Sequence, residues 1–233
     1  MNTTVLTVIS IIISAGVFGA CYPLLRLVEK KAMTEEDYEG RITEDKFSPV
    51  RLIIMIVLGG VFAGLLASFF GFTLKSLLYL VFFLILTIIG ITDFDTMEIP
   101  IYLNIAILVL GIASIWITPE ITIVERLIGM VCIALPMFLL NLILGTAFGG
   151  GDVKLMFVTG ILLGWKINAI GFFIGAVCGA IFGVASMIIA KKKGKSHIPF
   201  GPSLCIGLVA STLAGEAILN WYIGFVKSMM TFE

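Results

Sequence analysis

Two acidic segments of the chain carry residues that could do chemistry together. Residues 92–100 read TDFDTMEIP, with carboxyl groups at Asp93, Asp95 and Glu98, and residues 149–154 read GGGDVK, with one at Asp152. Two carboxyl groups in close contact share one proton, because both cannot ionise cheaply. The ionised group then accepts a proton from an attacking water, while the protonated group hydrogen-bonds the carbonyl oxygen under attack. Such a pair hydrolyses an amide bond without a metal.

The composition predicts that these acids lie in a membrane protein. The 233 residues are 60% apolar and 13% charged, and the mean hydropathy is +1.15. Soluble domains are about half apolar and about a quarter charged. Fifteen basic and fifteen acidic residues cancel, so net charge does not point to nucleic acid as a partner. Helices satisfy their own backbone groups in lipid, which predicts an all-α polytopic bundle.

Uncharged intervals along the sequence predict about eight transmembrane helices. Most are long enough for the roughly 20 residues that a crossing needs. The exception is the helix at about 152–166, which would be only roughly 22 Å long. With all eight crossings and the N-terminus outside, eleven of the fifteen basic residues fall on one face, which fits the positive-inside rule. These eleven are Arg26, Lys30, Lys31, Arg41, Lys46, Arg51, Lys154, Lys191, Lys192, Lys193 and Lys195.

The same topology divides the chain into three parts. We expect a retained first transmembrane helix (1–25), since it lacks a basic start and a clear cleavage site. A short cytoplasmic loop (26–50) and a membrane-embedded domain (51–233) follow. Two crossings separate the acidic segments, so both lie at the cytoplasmic face. Within the membrane domain, Gly171, Gly175, Gly179 and Gly183 recur every fourth residue and predict close helix packing.

Simpler explanations exist for each acidic segment. Asp152 follows three glycines and suits a helix N-cap, and Asp93 and Asp95 suit an interfacial turn that ends at Pro100. A Gly-x-Gly-Asp sequence alone is a weak signal. A second aspartate on the same face of an eight-helix protein is a much stronger one.

Cysteines and histidine do not suggest a metal site. Cys21, Cys132, Cys178 and Cys205 lie in separate apolar segments, and His197 is the single histidine. A zinc site needs such ligands clustered. We interpret the cysteines as small buried apolar residues and His197 as a polar residue at the membrane interface.

Four motifs in order resemble those of the bacterial type IV prepilin peptidases, a family of membrane-embedded Gly-x-Gly-Asp aspartyl proteases. Asp93 is followed seven residues later by Pro100, and residues 149–155 read GGGDVKL. Residues 163–165 (LGW) and 198–202 (IPFGP) also look like the family's. The resemblance extends from about residue 50 to 226.

The resemblance implies that Asp93 and Asp152 are the catalytic pair and that no cofactor is needed for proteolysis. The resemblance implies that Asp95 and Glu98 are supporting polar residues, and their acidity also makes them alternative candidates for the catalytic role of Asp93. Lys154 would orient Asp152, attract substrate or extend to the interface. Further supporting or substrate-binding residues are Pro100, Asn104, Gly149, Gly151, Pro199, Gly201 and Pro202.

The implied substrates are prepilin or pseudopilin precursors, cut at the cytoplasmic boundary of the cell membrane between a short basic leader and an apolar helix. The implied partners are these precursors and the lipid bilayer.

The sequence departs from the family's pattern in two places, one related to the family's second activity and one in its first motif. Residues 26–50 contain no cysteine, unlike family members with paired Cys-x-x-Cys motifs, so N-methylation with S-adenosylmethionine is doubtful. Ile101 follows the proline where Asp or Asn is common, with Asn104 one turn on.

Other functions remain open from sequence. A short helix after three glycines, with Glu216 inside the last span, could belong to an ion-coupled transporter, since transporters bind ions at broken helices. An intramembrane protease acting on other transmembrane substrates and a non-enzymatic secretion subunit are further alternatives.

Overall fold

The fold is helical throughout the residues that the structure describes. The computed structural model describes residues 3–32, 48–145, 148–190 and 199–230. Its helices are α1 (Thr3–Ala20), α2 (Tyr22–Ala32), α3 (Pro49–Phe70), α4 (Leu74–Thr96), α5 (Ile101–Ile117), α6 (Ile123–Cys132), α7 (Ala134–Leu144), α8 (Gly150–Ala190) and α9 (Gly201–Met230).

Six helical stretches of this part of the chain are long and apolar enough to cross a membrane. They are Thr3–Lys31, Pro49–Phe70, Leu74–Thr96, Ile123–Leu144, Gly150–Ser186 and Gly201–Met230, and α5 is a shorter apolar helix. The prediction of an all-α membrane bundle is confirmed. The division into three parts stays a prediction. His197, the 191–195 lysines and most of the 26–50 loop lie outside the described residues.

The α8 helix changes direction at Gly164. This residue has φ 71° and ψ 169°, which are not helical values. The Asn168 side chain donates to the Met156 carbonyl at 3.0 Å and accepts from the Thr159 hydroxyl at 2.8 Å. In a straight helix, residues twelve apart would be about 18 Å apart, so the chain folds back. We name residues 150–163 the short arm and 165–190 the long arm.

The short arm corresponds to the short helix predicted at about 152–166. It begins two residues earlier than expected and ends before Gly164. Its length of about 21 Å follows from the helical rise. When α5 is added to the six stretches and the two arms of α8 are counted separately, the described residues contain eight helical segments, the number of membrane helices that the sequence predicts.

Glycines allow the helices around the short arm to pack backbone against backbone. A Cβ atom at Gly129 of α6 would lie 2.5 Å from the carbonyl oxygen of Gly160 in the short arm. On the long arm, a Cβ atom at Gly175 would lie 3.0 Å from the Cα atom of Leu204 in α9. The predicted packing role of the glycine stripe is confirmed at this position.

Arg126 fixes the ends of α5 and the short arm next to Gly164. Its side chain is buried and donates hydrogen bonds to carbonyl or hydroxyl oxygens of Ser114, Thr118 and Ile161. The C-terminal carbonyls of a helix lack partners within the helix and attract positive charge. One guanidinium therefore joins the C-terminal ends of two helices, whose opposite ends carry Pro100 and Asp152.

Candidate active site

Asp93 and Asp152 are both buried inside the bundle and lie near each other. Asp93 lies in the last turn of α4 and is 5% exposed, and Asp152 lies in the first turn of the short arm and is 6% exposed. The two carboxyl groups are close enough for their charges to interact. Cys205 of α9, which is also buried, lies within reach of both charges. We refer to Asp93 and Asp152 as the aspartate pair.

The spacing between Asp93 and Pro100 reflects a tight connection between two helices. The Met97 N–H donates to the Asp93 carbonyl at 2.9 Å, and Met97 adopts φ 57°. This left-handed conformation is uncommon for a residue other than glycine and ends α4. Pro100 is the N-cap of α5. Seven residues therefore cover the last turn of α4 and the loop that returns the chain into the membrane.

The Asp93 carboxylate is held by the start of α9. The backbone N–H of Gly201 donates to Asp93 Oδ2 at 2.9 Å, because the first N–H groups of a helix have no partner within it. A Cβ atom on residue 201 would lie 2.6 Å from the same oxygen, so the contact requires glycine. Pro202 approaches α4 as well, and its Cα atom lies 3.8 Å from the Cβ position of Gly90. Pro199 precedes this contact and is partly buried.

Asp152 lies at the third position of the short arm. The Val153 N–H donates to the Gly149 carbonyl at 3.3 Å, so Gly149, rather than Asp152, is the N-cap. The Asp152 carboxylate interacts with the Gly149 N–H, as an acid at this helix position commonly does. Its Oδ1 atom has no hydrogen-bond partner among the described residues. The interpretation of Asp152 as a simple N-cap is therefore wrong.

Two glycines of the GGGD segment permit close approaches at the pair. A Cβ atom on Gly151 would lie 2.8 Å from the Cβ atom of Ile99. A Cβ atom on Gly149 would lie 2.9 Å from Asp152 Oδ2. The short arm can thus lie directly against the α4–α5 connection only with glycine at 151.

An asparagine that the sequence analysis missed anchors the segment before Gly149. Asn141 of α7 donates to the Phe148 carbonyl at 2.9 Å and accepts from the Phe148 N–H at 2.7 Å. The Phe148 ring packs against the Phe200 ring with centroids 5.9 Å apart. Asn141 thereby links the GGGD segment to the loop before Gly201. The sequence could have indicated Asn141 as a functional candidate, since it is the single amide side chain in the uncharged interval 127–151.

The structure separates the other two acids of the first segment from the pair. Arg51 pairs with Asp95, at 3.0 Å, and with Glu29 of α2, at 3.1 Å. Glu98 is exposed, and its backbone N–H donates to the Thr96 hydroxyl oxygen at 3.3 Å. Arg51 therefore joins α2, α3 and α4 near the pair. Sequence reasoning did not find Arg51 and Glu29, because pairs between distant helices leave no spacing pattern.

The remaining predicted residues differ in burial. Lys154 is exposed and makes no hydrogen bond or ion pair within the described residues. Pro100 is buried, and Asn104 is 2% exposed. Neither polar atom of the Asn104 amide has a hydrogen-bond partner in the described part of the chain. In the same part, no group of three or more His, Cys, Asp or Glu residues could hold a metal ion.

The fold and the site define a polytopic helical membrane protein with a buried aspartate pair. Residues 80–184, which contain both aspartates, match the type IV leader peptidase family. This stretch of the chain is therefore similar to the type IV leader peptidase family.

Relatives with curated names agree with this assignment. The chain is 31% identical over 154 residues to the prepilin leader peptidase/N-methyltransferase of Bacillus subtilis, covering 66% of this chain and 62% of that protein. The Legionella pneumophila protein of the same name is 31% identical over 163 residues, covering 67% and 56%. The Pseudomonas aeruginosa protein is 27% identical over 168 residues, covering 70% and 58%. The chain thus spans less than two thirds of these relatives' lengths. No solved structure matches.

Proposed function

We propose that this protein is an aspartyl endopeptidase that removes the leader peptide from type IV prepilin or pseudopilin-like precursors. The observation that carries the proposal is the burial of Asp93 and Asp152 in one site, built from the two motifs of the leader peptidase family. The names of the curated relatives support the choice of substrate.

The proposed reaction uses the aspartate pair and one water molecule. One carboxylate accepts a proton from the water, whose oxygen attacks the scissile carbonyl carbon. The other carboxyl group hydrogen-bonds the carbonyl oxygen and then transfers a proton to the leaving amide nitrogen. The C–N bond breaks, and one new carboxylate and one new amine result. Asp152 Oδ1, which has no partner among the described residues, is available for this contact.

Surrounding residues hold the pair in position in this proposal. Gly201 and Gly149 supply backbone N–H groups to the carboxylates. Gly151 allows the short arm to approach the α4–α5 loop, and Arg51 fixes Asp95 at the end of α4. We place the pair toward the cytoplasm in the cell membrane, supported by the concentration of basic residues on that face.

The decisive experiment replaces each aspartate by its amide. Asp93→Asn and Asp152→Asn remove one carboxyl each with little change in volume. We expect each to reduce cleavage of a purified prepilin by on the order of 10⁴-fold, as losing one member of a catalytic unit does in other proteases. Product masses measured in detergent or nanodiscs report the cleavage. Processing at the parent rate by either folded variant would refute the assignment.

Glu216→Gln is the matched control and also tests transport. Glu216 is exposed and lines a cavity of about 270 Å³ with Lys75, Gly164 and Lys166, at the opposite end of the short arm from Asp152. We expect this variant to cleave normally. The features that suggested an ion-coupled transporter therefore lie at two different ends of the bundle. Loss of ion flux in Glu216→Gln, with aspartate variants still processing precursor, would favour transport.

Methylation of the new N-terminus is a second candidate activity. It is favoured by the N-methyltransferase part of the relatives' names and opposed by the absence of cysteine from residues 26–50. We expect cleavage without methylation. The same mass spectra, recorded with and without S-adenosylmethionine, show whether the product gains one methyl group.

A further inference from the structure

The cavity that Glu216 lines combines polar and apolar walls at the end of the bundle opposite the aspartate pair. It lies at the turn around Gly164, between the start of α4, the α5–α6 loop, the start of the long arm and α9. Its volume of about 270 Å³ is just below the roughly 300 Å³ at which pockets for drug-sized ligands begin. The cavity therefore suits a small ligand or the head of a larger one.

Two of the three carboxylates that line this cavity are paired with a lysine of the same chain. Lys75 pairs with Glu120, and Lys166 pairs with Glu125 at 2.7 Å. Arg126 lies near these glutamates but donates its hydrogen bonds to backbone carbonyl and hydroxyl oxygens. The cations of the described residues around the cavity are therefore already committed to other oxygens.

Each of the two lysine ammonium groups also lies near an aromatic ring of the lining. The Nζ atom of Lys75 is 5.2 Å from the centroid of the Phe70 ring, and that of Lys166 is 5.7 Å from the Trp165 ring. The face of an aromatic ring attracts a cation because of its negative quadrupole. The walls of the cavity thus hold an ammonium group twice in the same way, with one carboxylate and one aromatic ring.

The third carboxylate lies near a tyrosine that also lacks a partner. Glu216 makes no ion pair within the described residues. Tyr79 lines the cavity and is only 5% exposed, and its hydroxyl has no hydrogen-bond partner in the described part of the chain. This hydroxyl is not among the fully enclosed polar atoms, so it faces the cavity, within electrostatic range of Glu216. Because a buried tyrosine hydroxyl usually has a partner, this arrangement points to a ligand.

The chemistry of these two groups favours an ammonium ion over a metal ion. Within the described residues, no three His, Cys, Asp or Glu side chains converge closely enough to hold a metal. A primary ammonium group carries one positive charge and three N–H donors. It can donate to the Glu216 carboxylate, in a strong charge-assisted hydrogen bond, and to the Tyr79 hydroxyl oxygen. A third carboxylate and aromatic residue would then hold an ammonium group, as at the two lysines.

The position of the cavity allows two sources of this ammonium group. Lys75 is the second residue of α4, and Glu120 lies in the loop that follows α5, so the cavity opens where membrane helices end. The ends of membrane-spanning helices lie at the level of the phospholipid headgroups. The head of an aminophospholipid and a free alkylamine from solvent can both reach this level, and the apolar walls suit the carbon chain of either.

We propose that this cavity binds a primary ammonium group, with the Glu216 carboxylate as its counter-ion and the Tyr79 hydroxyl as a hydrogen-bond acceptor. Tyr79 belongs to α4, Leu163 of the lining belongs to the short arm, and Glu216 belongs to α9. The same three elements form the aspartate pair at their other ends, through Asp93, Asp152 and Gly201. A bound ammonium group therefore stabilises the bundle from the end that takes no part in cleavage, and the proposal does not depend on the peptidase function.

Binding of short-chain phospholipids to the full chain in detergent tests the site. Dihexanoyl phosphatidylethanolamine carries a primary ammonium, and dihexanoyl phosphatidylcholine carries a quaternary one without N–H groups. For the parent protein we expect Kd for the ethanolamine lipid to be at least about tenfold lower, measured by titration calorimetry. The same lipid should raise the thermal unfolding temperature, because it binds the folded state. Equal Kd values for the two lipids would overturn the proposal.

Two variants test the two contacts. We expect Glu216→Gln to raise Kd for the ethanolamine lipid at least about tenfold, since it removes the counter-ion, and Tyr79→Phe to raise it several-fold, since it removes one oxygen atom. The matched controls are Glu98→Gln and Tyr222→Phe, which make the same changes at exposed residues outside the cavity. Thermal unfolding without lipid shows that each variant is folded. Parent affinity in both folded cavity variants would overturn the proposal.

Ethylamine hydrochloride distinguishes the two sources of the ammonium group. A Kd for ethylamine equal to that for the ethanolamine lipid, with the same loss in Glu216→Gln, supports a site for free amines. Binding of the lipid at least about tenfold more tightly supports a headgroup site. If neither compound binds the parent protein, the proposal is wrong. All these titrations are made without precursor, so their outcome is separate from that of the cleavage assay.

Discussion

Replacing Gly201 by alanine should displace Asp93 without unfolding the protein. The new Cβ atom would lie 2.6 Å from Asp93 Oδ2, 2.7 Å from Cγ and 3.0 Å from Cβ. Ordinary contacts begin at 3.4 Å, so the carboxylate or the start of α9 must move by about 0.8 Å. The same movement strains the 2.9 Å hydrogen bond from the Gly201 N–H. Misplacing a reacting group by about 1 Å costs on the order of 10²-fold in rate.

The assay for this variant is kcat for prepilin cleavage, measured beside thermal unfolding in the same detergent. We expect Gly201→Ala to lose on the order of 10²-fold in kcat, with little change in KM. Gly224→Ala is the matched control, because it lies on the same helix and its Cβ position has no neighbouring atom within 4 Å. A Gly201→Ala variant with the parent kcat would refute the idea that this backbone contact positions Asp93.

Two further predictions concern the packing that holds the short arm. Arg126→Met should lower the free energy of unfolding by roughly 3 kcal/mol or more, because hydrogen bonds to a charged group contribute about 1.5–3 kcal/mol each. Arg126→Lys should recover only part of this loss, since an ammonium group cannot reach both helix ends. Denaturant titration in detergent measures the stability of both variants. Gly160→Ala should cost about 1–3 kcal/mol by overpacking against the Gly129 backbone. In the same titration Gly16→Ala, whose Cβ position has no neighbour within 4 Å, should be nearly neutral, and an equally neutral Gly160→Ala would contradict the close helix crossing.

The sequence was sufficient to predict the helical elements, and it predicted that the two aspartates share one face. Hydropathy determines which segments enter lipid, and the number of crossings determines which loops share a face. Both effects depend on local composition, so Asp93 and Asp152 could be assigned to one face without knowledge of helix contacts. Glycines at fixed spacing likewise revealed one packing surface, as at Gly175.

Residues whose partners come from other helices could not be found in this way. Arg126 was counted as one of the few basic residues of the outer face, yet it is buried and bonded to the ends of two helices. Charge counting locates a residue along the membrane normal but does not show which oxygens surround it. The roles of Arg51 and Asn141 could not be predicted for the same reason. The rotation of each helix about its own axis determines which residues its side chains contact, and the sequence does not show this rotation.

The two helices that carry the site are shorter than the hydrocarbon layer of a membrane is thick. The short arm is about 21 Å long and α5 about 26 Å, less than the ~30 Å of the hydrocarbon layer. Arg126 joins both helices at the end next to Gly164. If that end lies at one membrane surface, we expect the end that carries Pro100 and Asp152 to lie below the opposite surface. The long arm starts from the same end and extends about 39 Å, well past the pair. For the proposed function, this depth would suit a peptide bond at the start of a substrate's apolar helix.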